Sequence, residues 1–179
     1  MSAVLARTDG QAGFTLVEMI CTIAVLAILA TVAMPLAQNA VQRRKEVELH
    51  RDLEVMCAGI NRYHQYALAG AIPSWDPDWN YYPPDLDSLV EGIELNAAQS
   101  GKTQVEAFLR EIPVDPLTGE RSWGYRSYQM DPDDTTWDGA NVFDVYSLSA
   151  GTALDGTEYS TWGCEGTTIG SIPGNILIR

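Results

Sequence analysis

The 179-residue chain reads as an α+β protein: a long N-terminal helix, transmembrane over its first half, packed on a small antiparallel β-sheet domain with short helices. Three observations predict this. From Phe14 to Ala37 the sequence is apolar with Glu18 as its only charge. From Gln38 to Ala69 there is no proline and one glycine, Gly59, and apolar residues recur every three or four positions. Beyond Pro113, turn-forming clusters separate two runs rich in β-branched and aromatic residues.

The apolar run sets everything after it. About 24 residues at 1.5 Å rise each give roughly 36 Å of helix, enough to cross a hydrocarbon core of ~30 Å. It has no polar face, as a helix on a soluble core would. A cleaved secretory signal has an apolar stretch of about 7–15 residues, so this run is too long for one. A plain membrane anchor fits the length and gives no reason for Glu18. An acid within a spanning helix marks a functional site by default.

The next segment, 38–69, carries its stripe on Leu49, Leu53, Met56, Cys57, Ile60, Tyr63, Ala67 and Leu68, which the rest of the chain must cover. His50 and His64 lie on or beside the stripe, and their spacing is not the i, i+4 of paired metal ligands. Gly70 suits a helix C-terminus. The loop 73–84 holds Trp75, Trp79, Tyr81 and Tyr82, which form either a lid on a small core or a partner-binding patch. Asp85 is placed to cap a short helix with Leu86, Leu89 and Val90 inward. A further helix is expected over 102–111, with Val105, Phe108, Leu109 and Ile112 on one face and Pro113 as its stop. Residues 115–120 form a turn, strands are expected over 123–130 and 142–148, and the acidic loop 131–139 joins them. The tail, 149–179, is rich in Gly, Thr and Ser, with a terminal strand expected at 176–178.

Formal net charge is −13, and no basic stripe with interleaved aromatics occurs, which argues against direct nucleic-acid binding. No G-x-S-x-G and no Cys/His/Asp arrangement points to a hydrolase, so no enzymatic role is expected. Cysteines stand at 21, 57 and 164 without zinc-ligand spacing. Outside the cytoplasm Cys57 and Cys164 either join as a disulfide or remain thiols, one buried and one exposed.

Gly13-Phe14-Thr15-Leu16-Val17-Glu18 resembles the prepilin peptidase recognition site of type IV pilins and of the pseudopilins of type II secretion. The resemblance implies a leader, 1–13, cut between Gly13 and Phe14, N-methylation of Phe14, retention of Glu18, and a proline, here Pro35, where the helix can loosen. It divides the rest into a transmembrane and assembly half, 14–37, an amphipathic half, 38–69, and a periplasmic globular domain, 70–179. In a helical stack of such subunits the Glu18 carboxylate needs a cation, and the free amine of a neighbouring Phe14 would supply it, since an unpaired buried charge is far more costly than a paired one. Arg43, Arg44 and Lys45 just past the run would by charge count face the cytoplasm. The motif implies the reverse topology, and local pairing of this cluster with Glu46 and Glu48 would lessen the conflict.

Later residues narrow the resemblance. Ile112-Pro113-Val114-Asp115-Pro116, then Gly124-Tyr125, then Phe143-Asp144-Val145-Tyr146-Ser147-Leu148-Ser149, with Asp155-Gly156-Thr157-Glu158 and Trp162, are similar to the end of the major pseudopilin of type II secretion. That likeness implies a subunit that polymerises from the bacterial inner membrane into a periplasmic fibre driving protein secretion. The implied partners are further copies of itself, minor pseudopilins, the prepilin peptidase and the inner-membrane assembly platform. A type IV pilin of a surface fibre, serving adhesion, motility or DNA uptake, is the alternative. The resemblance also implies calcium, held here by the Leu148 carbonyl and the Asp155 and Glu158 carboxylates, although Ala150 stands where an acid is expected. Asp131, Asp133, Asp134 and Asp138 form a rival acidic group.

Overall fold

The computed structural model describes residues 13–72, 78, 80–96, 104–131, 134 and 136–164. Helix α1 runs Leu16–Leu68, and the chain divides into two compact units at Val41/Gln42. In the first unit Thr15 caps the helix: its Oγ1 accepts from the Glu18 N–H at 3.2 Å, and its carbonyl accepts from Met19 N at 3.1 Å. This satisfies one of the amides that a helix start leaves without a partner. The apolar side chains described here are exposed, Phe14 and Leu16 each at 75 %. Among the described residues α1 is the one helix long and apolar enough to cross a membrane.

The second unit is built on the later turns of α1. Leu49, Leu53, Met56, Ile60, Tyr63 and Ala67 are all buried, following the three-and-four spacing of the sequence. Leu68, expected on the same stripe, is 56 % exposed, because the helix ends there and the chain turns away. The end is capped: Gly70, at φ 71, donates to Ala67 O, and Ala71 donates to Tyr66 O.

Helix α2, Leu86–Glu91, starts on Asp85, whose Oδ1 accepts from Ser88 N at 2.7 Å, and it buries Leu86 and Leu89. Strand β1, Ile93–Leu95, pairs antiparallel with β2, Gln104–Glu106. The helix expected over 102–111 is therefore absent from its described part: 104–106 is strand and 107–111 is irregular. Two competing bonds explain this, since Phe108 N and Leu109 N both donate to Leu89 O at 2.9 Å, drawing the segment onto the end of α2. Gly59 admits it on the other side, where a Cβ would stand 3.2 Å from Phe108 O. Phe108 and Leu109 are buried as expected, but Val105 is 59 % exposed, so the apparent helical face does not exist.

Strand β3, Trp123–Arg126, pairs antiparallel with β4, Asp144–Ser147, with Trp123 opposite Ser147 and Arg126 opposite Asp144. Both strands are shorter than the runs that suggested them, and the described sheet consists of two separate two-stranded pairs rather than one. The turn at 115–120 forms as expected, closed by Asp115 N to Glu120 O at 2.8 Å. Asp115 is fully buried and satisfied, its Oδ1 accepting from Leu117 N and its Oδ2 from the Ser147 hydroxyl at 2.6 Å. Trp75, Trp79 and the strand expected at 176–178 lie outside the described residues.

Candidate functional site

The N-terminal motif is presented simply. Gly13 and Phe14 precede the first helical turn, exposed, and a Cβ built on Gly13 meets nothing within 4 Å. Glu18 sits in the first turn of α1, exposed, with its amide held by Thr15. The Thr15-x-x-Glu18 spacing is a helix-start signature, legible in the sequence and overshadowed there by the charge of Glu18. Pro35 lies within α1, where the ring removes one backbone donor and so weakens the ladder locally. The Gly13–Phe14 peptide bond is thus exposed directly ahead of a capped helix start.

The second group lies in the unit after Val41, where the segment following β4 returns to α1. Cys57 and Cys164 are joined with Cα atoms 5.3 Å apart, and both are buried. Closing a loop of sequence separation 107 removes enough freedom from the unfolded chain to contribute about 4–5 kcal/mol. Cys21 is a free thiol. Cys164 N donates to Asp144 Oδ1, while Asp144 Oδ2 takes a 2.7 Å ion pair from Arg126, whose other nitrogen reaches Ser160 O at 2.7 Å. The Arg126 guanidinium also lies 4.1 Å from the Tyr146 ring centroid.

Glu46 overturns one expectation. In place of a pairing with the basic cluster, its carboxylate is buried and its Oε1 accepts from Leu154 N at 2.9 Å, Tyr159 Oη at 2.9 Å and Gln42 Nε2 at 3.2 Å. A buried carboxylate must be satisfied, and here neutral donors satisfy it. Burial pushes the Tyr159 hydroxyl above its ordinary range, with Gln42 opposing and Glu46 reinforcing the shift. His50, beside the stripe, stacks on Trp162 with ring centroids 4.2 Å apart. Sequence periodicity could not single out Glu46, because an acid beside three basic residues reads as surface.

The oxygen donors implied for calcium line two different cavities. Leu148 and Glu158 line an open cavity of about 300 Å³ with Ser147, Ser149 and Ala150, whereas Asp155 lines another, of about 380 Å³, with Arg43, His50 and Trp162. Asp155 Oδ1 accepts from both the amide and the hydroxyl of Thr157, and those bonds hold its carboxyl below the usual range. Among the described residues no group of three or more His, Cys, Asp or Glu is placed to hold a metal. In the rival acidic loop Asp138 is bonded to Ser127, Gln129 and Ala140, and Asp133 lies outside the described residues.

Residues 9–34 match the family model described as the prokaryotic N-terminal methylation motif. The chain is similar to the type II secretion system core protein G of Pseudomonas aeruginosa strain PAO1, 28 % identical over 140 residues, covering 78 % of this chain and 84 % of the relative. It is also similar to core protein G of Escherichia coli K12, 26 % identical over 115 residues, covering 63 % of this chain and 70 % of the relative. No solved structure matches it significantly.

Proposed function

We propose that this chain, which carries a prepilin-type methylation motif and is similar over most of its length to core protein G of type II secretion, is a structural subunit of a secretion pseudopilus. The observation that carries the reading is the exposed Gly13–Phe14 peptide directly ahead of a capped helix whose first part, to Ala37, is apolar except for one acid on its first turn. In this reading residues 1–13 are a leader, 14–37 anchor the precursor in the inner membrane and later pack in the fibre, and 38–69 carry the domain 70–179 in the periplasm. Cleavage frees the amine of Phe14, and methylation leaves it cationic. Glu18 of one subunit then pairs with Phe14 of the next and sets the axial step, as one buried polar residue sets register in a coiled coil. Both named relatives are secretion subunits, which favours this assembly over a surface pilus. Further copies, minor pseudopilins, the peptidase and the assembly platform are the partners, and the role is structural rather than catalytic.

Processing tests the reading directly. Mass spectrometry of the mature protein should find methylated Phe14 at its N-terminus. Gly13→Leu should leave the uncut precursor in the membrane, because a bulky side chain then occupies the scissile bond. A mature chain that starts at Met1, or beyond Ala37, would exclude it.

A further inference from the structure

We propose that in this chain the segment 149–164 is fastened to α1 by a cation-independent clamp, covalent at Cys57–Cys164 and hydrogen-bonded at Glu46, in place of the calcium that the resemblance implies.

Two sets of observations meet here. The first is that the implied donors are not available together: Ala150 has no carboxylate, Asp155 is bonded into its own turn by Thr157, and Leu148 and Glu158 line a cavity that Asp155 does not share. Calcium takes six to eight oxygens in one shell, and a shell lacking an acid at position 150, with Asp155 engaged by Thr157, is left short of carboxylate donors. The second is that the task of such an ion, pinning a glycine-rich segment, is already performed. Gln42 Nε2 reaches Thr152 O at 3.1 Å, Glu46 Oε1 receives Leu154 N and the Tyr159 hydroxyl, and Trp162 stacks on His50 while donating to Thr157 Oγ1 at 2.8 Å. The disulfide then closes the end of the segment at Cys164, whose amide is held by Asp144. Anchors thus recur along the segment, each on α1 or on a group that α1 holds.

The covalent step balances as a thiol–disulfide exchange. Two thiols lose two protons and two electrons to an oxidised dithiol donor, which leaves as a dithiol while the Cys57–Cys164 bond forms. Such a donor belongs to an oxidising compartment, so closure follows export of the domain. The clamp concerns the subunit alone and holds whether or not the subunit polymerises.

The test uses the mature full-length chain in detergent micelles, in calcium, in EGTA and in dithiothreitol, with melting temperature and peptide-level hydrogen exchange over 149–164 as readouts. Calcium and EGTA should give the same melting temperature and the same exchange. Dithiothreitol should lower the melting temperature on the order of 10 °C and speed exchange in the segment at least tenfold. Tyr159→Phe, which keeps the disulfide and removes one donor to Glu46, should speed exchange in the same peptides without sensitivity to EGTA. A melting shift of several degrees on chelation alone, or a segment whose exchange ignores reduction, would overturn the clamp. Because the comparison is made on the unaltered chain, a Cys57→Ser, Cys164→Ser variant that fails to fold does not block it.

Discussion

At the scale of single residues, burial rather than residue type decides which polar groups matter. His64 is half-buried, stacked 4.1 Å from the Tyr82 ring centroid, and desolvation lowers its pKa below the ordinary 6.5 despite an opposing backbone hydrogen bond at Asn80. The folded chain therefore binds this proton less readily than the unfolded chain, so the associated stability is complete above pH 6.5 and is lost as pH falls through the folded value. The melting temperature should fall between pH 7.5 and 5.5, and His64→Gln should flatten that slope. An equal slope in both proteins would refute the assignment. The carboxyls of Asp138 and Asp155, held low by hydrogen bonds, act in the same direction only in more acid solution.

At the scale of elements, the reading from sequence succeeded where one face repeats and failed where a segment is held by its neighbours. The stripe on α1, the Asp85 cap of α2 and the turn at Asp115 are written in local chemistry, and all three form. The segment around Phe108 has a spacing that satisfies a helix equally well, and it is decided by Leu89 and Gly59, which lie far away in sequence.

 The clamp at Glu46 was illegible for the same reason, since its donors Leu154 and Tyr159 come from the other end of the chain. Strand β3 carries the prediction that belongs here. Gly124 is buried beneath the Tyr146 ring on β4, and a Cβ added there would overlap that ring, over which the Arg126 guanidinium also lies. Gly124→Ala should destabilise the domain by about 1–3 kcal/mol in urea unfolding. Tyr146→Leu in the same chain should recover part of that loss, because the two side chains share one space. Additive losses would show that the clash is not the cause.

At the scale of the whole molecule, the fold class and the order of its main parts were readable from the sequence, because a run of membrane-spanning length and an amphipathic stripe are each strong periodic signals. The donor geometry after β4 was not, since it depends on contacts more than a hundred residues apart in sequence. In the proposed fibre Glu18→Ala should separate anchoring from assembly. Removing a charge from an apolar helix should leave membrane insertion intact, while fibres should fail to form or form slowly once the neighbouring Phe14 amine loses its partner. Normal fibres from this variant, counted by electron microscopy, would refute the pairing. The Cys57–Cys164 bridge also bears on how the chain carries load. The segment it encloses, of sequence separation 107, would span roughly 350–385 Å if drawn out straight, yet the bridge holds its ends with Cα atoms 5.3 Å apart. Tension applied through the residues on either side of the pair crosses a single sulfur–sulfur bond. The enclosed chain then adds no length, however far it unfolds, so between Cys57 and Cys164 the chain is inextensible under tension until that bond is reduced.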